Sequence, residues 1–134
     1  QAELIVVTTP QLMAQKVATR VADMAKRSFI PLLGIIENMS YFESDTGDKY
    51  NIFGEGGGEA LSDKFGIPLL GKVPISENTN NVADSGTPLI DQNNSVTKVE
   101  IEKLINNIAI QLPPIIDETC TGRLAKVFEE LSNQ

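Results

Sequence analysis

Histidine and tryptophan are absent from this 134-residue chain, and there is one cysteine, Cys120. Those gaps exclude zinc sites built from Cys and His, Cys/His and Ser/His nucleophile systems, and an internal disulfide framework. Metal chemistry by this chain alone would have to rest on carboxylates. Basic residues are scarce as well: eleven Lys plus Arg stand against eighteen Asp plus Glu, a formal charge of -7. A field of that sign repels phosphodiester backbones and anionic lipid surfaces, so neither nucleic acid nor membrane is an expected partner. No apolar run approaches the roughly 20 residues that cross a bilayer, and no basic-then-apolar segment opens the chain. With so little cysteine, a reducing cytoplasmic location is the expectation. What is present is ordinary: 41% hydrophobic and 22% charged residues, enough apolar mass for the core of one domain or part of one.

The apolar patterning points to an α/β architecture. Leu4-Ile5-Val6-Val7 is a β-branched run with almost no lead-in after Gln1, and it reads as a strand buried on both faces, as in the middle of a parallel sheet. A chain that opens on such a strand is expected to be a fragment exposing an apolar edge. Thr9 is positioned to cap a helix with Pro10 at its first position. Leu12, Val17, Val21 and Met24 form the expected inward stripe of that helix, which runs to Arg27. Ile30 to Asn38 is a second interior strand, completing a strand-helix-strand unit. Between Met39 and Phe53, Tyr41-Phe42 and Tyr50 to Phe53 flank the turn-forming Ser44-Asp45-Thr46-Gly47-Asp48, which predicts a hairpin excursion over 40–53. A short helix from Glu59 to Phe65, stopped by Gly66, and a third strand from Ile67 to Pro74 follow. Ser76 to Ala83 reads as a short helix or turn and Asp84 to Pro88 as a solvated loop. Ser95 to Gln111 carries Val96, Val99, Ile101, Leu104, Ile105 and Ile108 at helical spacing. Pro113-Pro114 divides a domain segment, 1–112, from a helical or weakly ordered tail, 113–134.

Three features invite chemistry. Gly54-Glu55-Gly56-Gly57-Gly58 opens a helix, where glycine amides can cradle an anion. It lacks the Gly-Lys-Ser/Thr ending of a Walker A loop and does not directly follow a first strand, while Glu55 and Glu59 would repel phosphate. A connector requiring positive φ is the better reading. Asn38 stands at the carboxyl end of an interior strand, where open α/β sheets bind ligands. It can offer both a donor and an acceptor to a purine edge, or tie its own turn. Val73-Pro74 ends the next strand, leading into a loop that can wall off a flat ring or merely leave the sheet. Cys120, between threonines and without His, reads as a small helix-start residue.

Five blocks of sequence in order carry a family resemblance. They are Val6-Val7-Thr8-Thr9-Pro10-Gln11, Gly34-Ile35-Ile36-Glu37-Asn38-Met39-Ser40-Tyr41-Phe42, Ile52-Phe53-Gly54-Glu55-Gly56-Gly57-Gly58, Ile67 to Pro74, and Asp84-Ser85-Gly86-Thr87-Pro88-Leu89. Together they make residues 3 to about 111 resemble the Mrp/ApbC iron-sulfur cluster carriers, deviant Walker A P-loop ATPases related to MinD and ParA that sandwich ATP in dimers. The resemblance implies the C-terminal half of a Rossmann-like, three-layer αβα domain with a parallel sheet and a hairpin excursion. It implies ATP as ligand, with Mg²⁺ bound mainly by an upstream half, and a homodimer of the full-length protein serving iron-sulfur apoproteins. Asn38 matches the family's adenine-contacting Asn, and Val73, Pro74, Ile75 and Ser76 match the segment against the adenine ring. Many relatives have Asp at the position of Ser76.

This chain departs from the family in two respects. It contains no P-loop and no switch carboxylates, so no catalytic residue is assigned to it and no ATP turnover is expected of it alone. Where many relatives carry Cys-x-x-Cys, able to hold an iron-sulfur cluster between subunits, it has Glu43-Ser44-Asp45-Thr46-Gly47-Asp48. Thiolate ligation at that place is ruled out. The other functional reading is therefore a non-catalytic, ParA-like interaction module that binds a protein through the aromatic hairpin and carries no cluster.

Overall fold

The computed structural model describes residues 2–44, 46–75, 86 and 96–112. Seven elements follow one another: β1 (Leu4–Thr8), α1 (Leu12–Arg27), β2 (Leu32–Glu43), β3 (Lys49–Tyr50), α2 (Gly57–Phe65), β4 (Leu69–Ile75) and α3 (Val96–Gln111). β2 lies at the centre of the sheet, parallel to β1 on one side and to β4 on the other. Its far end turns back antiparallel onto β3, pairing Phe42 with Tyr50 and Glu43 with Lys49. The expected hairpin is present, and it makes the sheet mixed rather than purely parallel.

α1 and α2 pack on the sheet around Val6, Ala18, Ala22, Ile35 and Leu61, with Leu4, Leu32, Phe65, Ile67 and Leu69 at the margin of that cluster. α3 packs against β4, where Asn107 Nδ2 donates to the Leu70 carbonyl at 2.7 Å. Leu104 fills the space over Gly71, whose absent side chain would meet it at 3.1 Å. Its inward row runs through Thr97 and Leu104, both buried, and not through Val96, Val99 and Ile105, which are exposed.

α1 differs from expectation in both its start and its inward face. It begins at Leu12 behind Gln11, with no side-chain cap. Gln15 Nε2 instead closes the entry by donating to the Pro10 carbonyl at 2.8 Å. The buried row is Ala18, Ala22 and Ala25, while Leu12, Met13, Val17, Val21 and Met24 are 37–71% exposed. Alanines let the helix axis approach the sheet closely, so the small residues, rather than the large ones, mark the contact. β1 is likewise buried on one side only: Val6 is 3% and Thr8 4% exposed, but Val7 is 56% exposed. Among the described residues β1 pairs with β2 alone. Its outer edge and the outer face of α1 form one continuous apolar flank.

β2 starts at Leu32, two residues later than expected, and runs past Asn38 to Glu43. The strand changes character at Asn38. Asn38 pairs with Val73, and the next pair is Phe42 with Ile75, so β2 advances four residues while β4 advances two. Such a bulge re-aims side chains and increases local twist. Within it Met39 has φ 54°, a left-handed conformation uncommon for a residue with a side chain. The sequence blocks 76–85 and 87–95, Ser95 as a helix cap, and the tail from 113 lie outside the described residues.

Candidate functional site

β1 and β4 end at the same edge of the sheet, beside the bulge in β2, and the residues singled out from sequence lie there; Asn38 stands within β2 at that bulge and not, as expected, at the end of its strand. Thr8 is opposite Glu37, and Asn38 is opposite Val73. Pro74 is buried and Ile75 half-buried immediately beyond. Four of the five candidate positions, Asn38, Val73, Pro74 and Ile75, are thus adjacent; Ser76 lies outside the described residues. An open groove of about 400 Å³ begins at this edge and runs along β1 and α1, lined by Ile5, Val7, Thr9, Val17, Val21 and Asn38 among others. Its walls are mostly apolar, with polar groups concentrated at the strand ends, the arrangement expected of a small-molecule site in an open α/β sheet.

Asn38 both ties its turn and remains available to a ligand. The Met39 backbone N–H donates to Asn38 Oδ1 at 2.9 Å. The bond uses one lone pair of Oδ1 and fixes the orientation of the carboxamide, leaving the second lone pair and the Nδ2 donors. Thr9 is the second polar group at the groove. Its Oγ1 is buried without a hydrogen-bond partner among the described residues, an unmet requirement that a bound polar group or water would satisfy. Sequence reasoning assigned Thr9 to helix capping and so missed it.

The face of β2 toward α2 holds a second polar cluster. Glu37 is fully buried. Its Oε1 accepts from Ser40 Oγ at 2.5 Å, and its Oε2 accepts from the Gly58 N–H at 2.5 Å. Lys72 Nζ stands 3.8 Å from Glu37 and forms a closer ion pair with Glu59. Burial works against the charged form of Glu59, but the hydrogen bond and charge of Lys72, helped by a backbone bond, leave its pKa below the ordinary 4.5. The Glu59 hydrogen bond is also the main reason that the Lys72 pKa is raised, against a smaller opposing effect of burial.

This cluster explains the glycine-rich segment. Gly56 caps α2 in the left-handed region at φ 78°, where a β-carbon costs about 1–2 kcal/mol. Gly58 is required for a different reason: a β-carbon there would lie 2.8 Å from Leu69 Cδ1 and 2.9 Å from Glu37 Cβ. The first turn of α2 is already met by the Glu37 carboxyl, so the segment anchors the helix to β2. Sequence reasoning gave Glu37 no role of its own, although a charge within an apolar strand requires partners once buried.

At the tip of the hairpin, Ser44 and Thr46 hydroxyls lie 2.8 Å apart, and Thr46 Oγ1 donates to Asp48 Oδ2 at 2.7 Å. Asp48 N–H donates to Ser44 Oγ at 3.2 Å. Ser44, Thr46 and Asp48, in the segment where the family resemblance implied a cysteine pair, hydrogen-bond to one another. No group of three or more His, Cys, Asp or Glu side chains among the described residues is arranged to hold a metal ion. No helix among them is long and apolar enough to cross a membrane.

A mixed sheet with three parallel strands flanked by helices, and with polar groups at one edge, is an arrangement common among ligand-binding α/β domains. The MinD cell division ATPase of Pyrococcus furiosus superposes with a TM-score of 0.63 over 82% of this chain and 43% of its own, at 22% identity, which places the fold among the MinD-like P-loop NTPases. A nucleotide-binding protein of Archaeoglobus fulgidus, solved in complex with ADP, shares 34% identity at a TM-score of 0.53, covering 61% of this chain and 34% of that one. The family narrows further. The profile described as "ParA: NUBPL iron-transfer P-loop NTPase" matches residues 1–111, and this chain belongs to that family. It is 45% identical over 87 residues to the iron-sulfur cluster carrier protein of Deinococcus radiodurans and 42% identical over 109 residues to that of P. furiosus. Those matches cover 64% and 78% of this chain but only 24% and 37% of the relatives. The chain therefore spans a minor part of their length.

Proposed function

We propose that this chain is the C-terminal part of an ATP-binding, ATP-hydrolysing iron-sulfur cluster carrier, and that it supplies the adenine side of the nucleotide site. The observation that carries this reading is the pairing of Asn38 with Val73 at the bulge where β2 and β4 leave their parallel register, with Asn38 among the residues that line the groove. Adenine presents an amino donor beside a ring-nitrogen acceptor. Asn38 offers the complement: the free lone pair of Oδ1 accepts from the amino group and Nδ2 donates to the ring. Guanine presents a carbonyl instead, and the carboxamide cannot simply turn over to suit it. Turning would point Nδ2 at the Met39 N–H, donor against donor.

In this reading Val73 and Ile75, half-buried beside the groove, supply an apolar surface for the ring face, with Pro74 buried between them and Ser76 next in the chain. Phosphate and Mg²⁺ binding, and activation of water, belong in this reading to the upstream half of the full-length protein, which acts as a homodimer. The charge of the chain fits a protein partner better than nucleic acid. With no cysteine in the hairpin, cluster ligands would come from elsewhere.

The test is Asn38→Ala in the full-length protein, read as dissociation constants for ATP and GTP. We expect ATP binding to weaken about tenfold and the preference over GTP to fall with it. Unaltered affinity and unaltered preference would defeat the adenine role. The 134-residue chain alone should show no ATP turnover above background, and Mg²⁺-dependent hydrolysis by it would overturn the assignment of catalysis to the upstream half.

A further inference from the structure

Glu37 and Asn38 are neighbours on β2 with different surroundings: the first is sealed against α2, the second borders the groove. Between them and Ser40 lies the bulge in which Met39 takes its left-handed φ. That conformation brings the Met39 N–H onto Asn38 Oδ1. A strained residue persists only where its surroundings over-determine it. Here the constraint comes from beneath. The Ser40 hydroxyl bonds back across the bulge to Glu37 Oε1, so residues 37 and 40 are clasped together with Asn38 and Met39 held between them. The other oxygen of Glu37 is fixed by the Gly58 N–H at the start of α2, and Lys72 on β4 completes the surround.

We propose that Glu37 is a positioning residue for base recognition: through the Ser40 clasp it holds the bulge that orients the Asn38 carboxamide, and through Gly58 it links that orientation to the glycine-rich segment. Its functional consequence rests on the adenine reading of Asn38. Without the clasp, Met39 relaxes toward an ordinary strand conformation, its N–H leaves Oδ1, and the carboxamide rotates freely. An amide free to turn accepts either purine. The predicted signature is therefore lost discrimination between ATP and GTP, rather than lost folding.

Ser40→Ala and Glu37→Gln should be compared with Asn38→Ala in the full-length protein. Ser40→Ala deletes only the clasp and keeps the test open should Glu37→Gln fail to fold. Two quantities are read: hydrogen exchange at the Met39 amide, and the ratio of ATP to GTP dissociation constants. Both clasp variants should speed Met39 exchange several-fold and lower the preference for ATP about tenfold, toward the value for Asn38→Ala. Unchanged Met39 exchange in Ser40→Ala would overturn the clasp. Faster exchange with intact preference, where Asn38→Ala abolishes it, would overturn the positioning role. If Asn38→Ala itself leaves the preference intact, the role toward the base falls with the adenine reading. Faster Met39 exchange in Ser40→Ala would then show that the adenine reading failed and the clasp did not.

Discussion

The two flanks of the central strand are built from the same kinds of residue and reach opposite ends. On the β4 side, Leu70 is 1% exposed and the Glu37 side chain is fully buried, Gly58 admits the first turn of α2 against Leu69, and α3 covers the strand. On the β1 side the strand edge is unpaired among the described residues, and five large apolar residues of α1 are exposed. A closed flank holds its polar groups in fixed geometry, which allows a fully buried carboxyl. An open flank leaves room for a ligand and for further chain. The candidate site lies where the two meet, with Asn38 anchored through the closed side and facing the open one.

The sharpest test of this contrast pairs one substitution from each flank. Leu70→Ala on β4 should destabilise the chain by about 2–5 kcal/mol, the usual cost of emptying a buried position. Met24→Ala, removing a side chain of similar size from the exposed face of α1, should change stability by no more than about 0.5 kcal/mol. Urea unfolding of both variants measures the difference, and comparable losses would mean that the α1 face is covered. Next in size is Gly58→Ala, where a methyl group meets Leu69 and Glu37. It should cost about 1–3 kcal/mol by overpacking, and a neutral result would show that the closed flank is looser than its distances.

The smallest effect concerns the Glu59–Lys72 pair, whose side chains are 43% and 36% exposed, so its contribution should stay under about 1 kcal/mol. Because the folded pKa of Glu59 is lowered, its part is present above 4.5 and is lost as pH falls through the folded value below that. The raised pKa of Lys72 has the opposite sense: its part is present below 10.5 and lost as pH rises past the folded value. Glu59→Gln should therefore lower the urea midpoint slightly at neutral pH and match the unsubstituted chain in strong acid. A constant difference across that range would assign the effect to packing.

Much of the fold could be read from runs and punctuation. Strand β4, the hairpin, and the stop of α2 at Gly66, which sits at φ 66°, follow from apolar blocks bounded by Gly, Pro and turn residues. The inward face of α1 did not, because two stripes compete on it, one of alanines and one of larger apolar residues. Periodicity ranks the larger residues first, whereas close approach to a sheet selects the smaller. The site divides in the same way. Asn38 and the Val73-Pro74 exit stood out because strand ends are where α/β sheets bind ligands, although β2 runs on past Asn38. Thr9 was not, since a Thr before Pro is also a good helix cap.

Local chemistry in the chain determined the alternation of strands and helices, the exclusion of His- and Cys-based catalysis, and the family blocks that point to a nucleotide. Those properties depend on residue type and short-range order, which a linear pattern carries in full. Only the tertiary structure decided that Glu37 reaches an amide 21 residues away, that Met39 N–H holds the carboxamide of Asn38, and that β1 and α1 share an open apolar flank. Each depends on which surfaces meet across the fold. A buried carboxyl announces that it needs partners, but the distance and direction of those partners are set by packing.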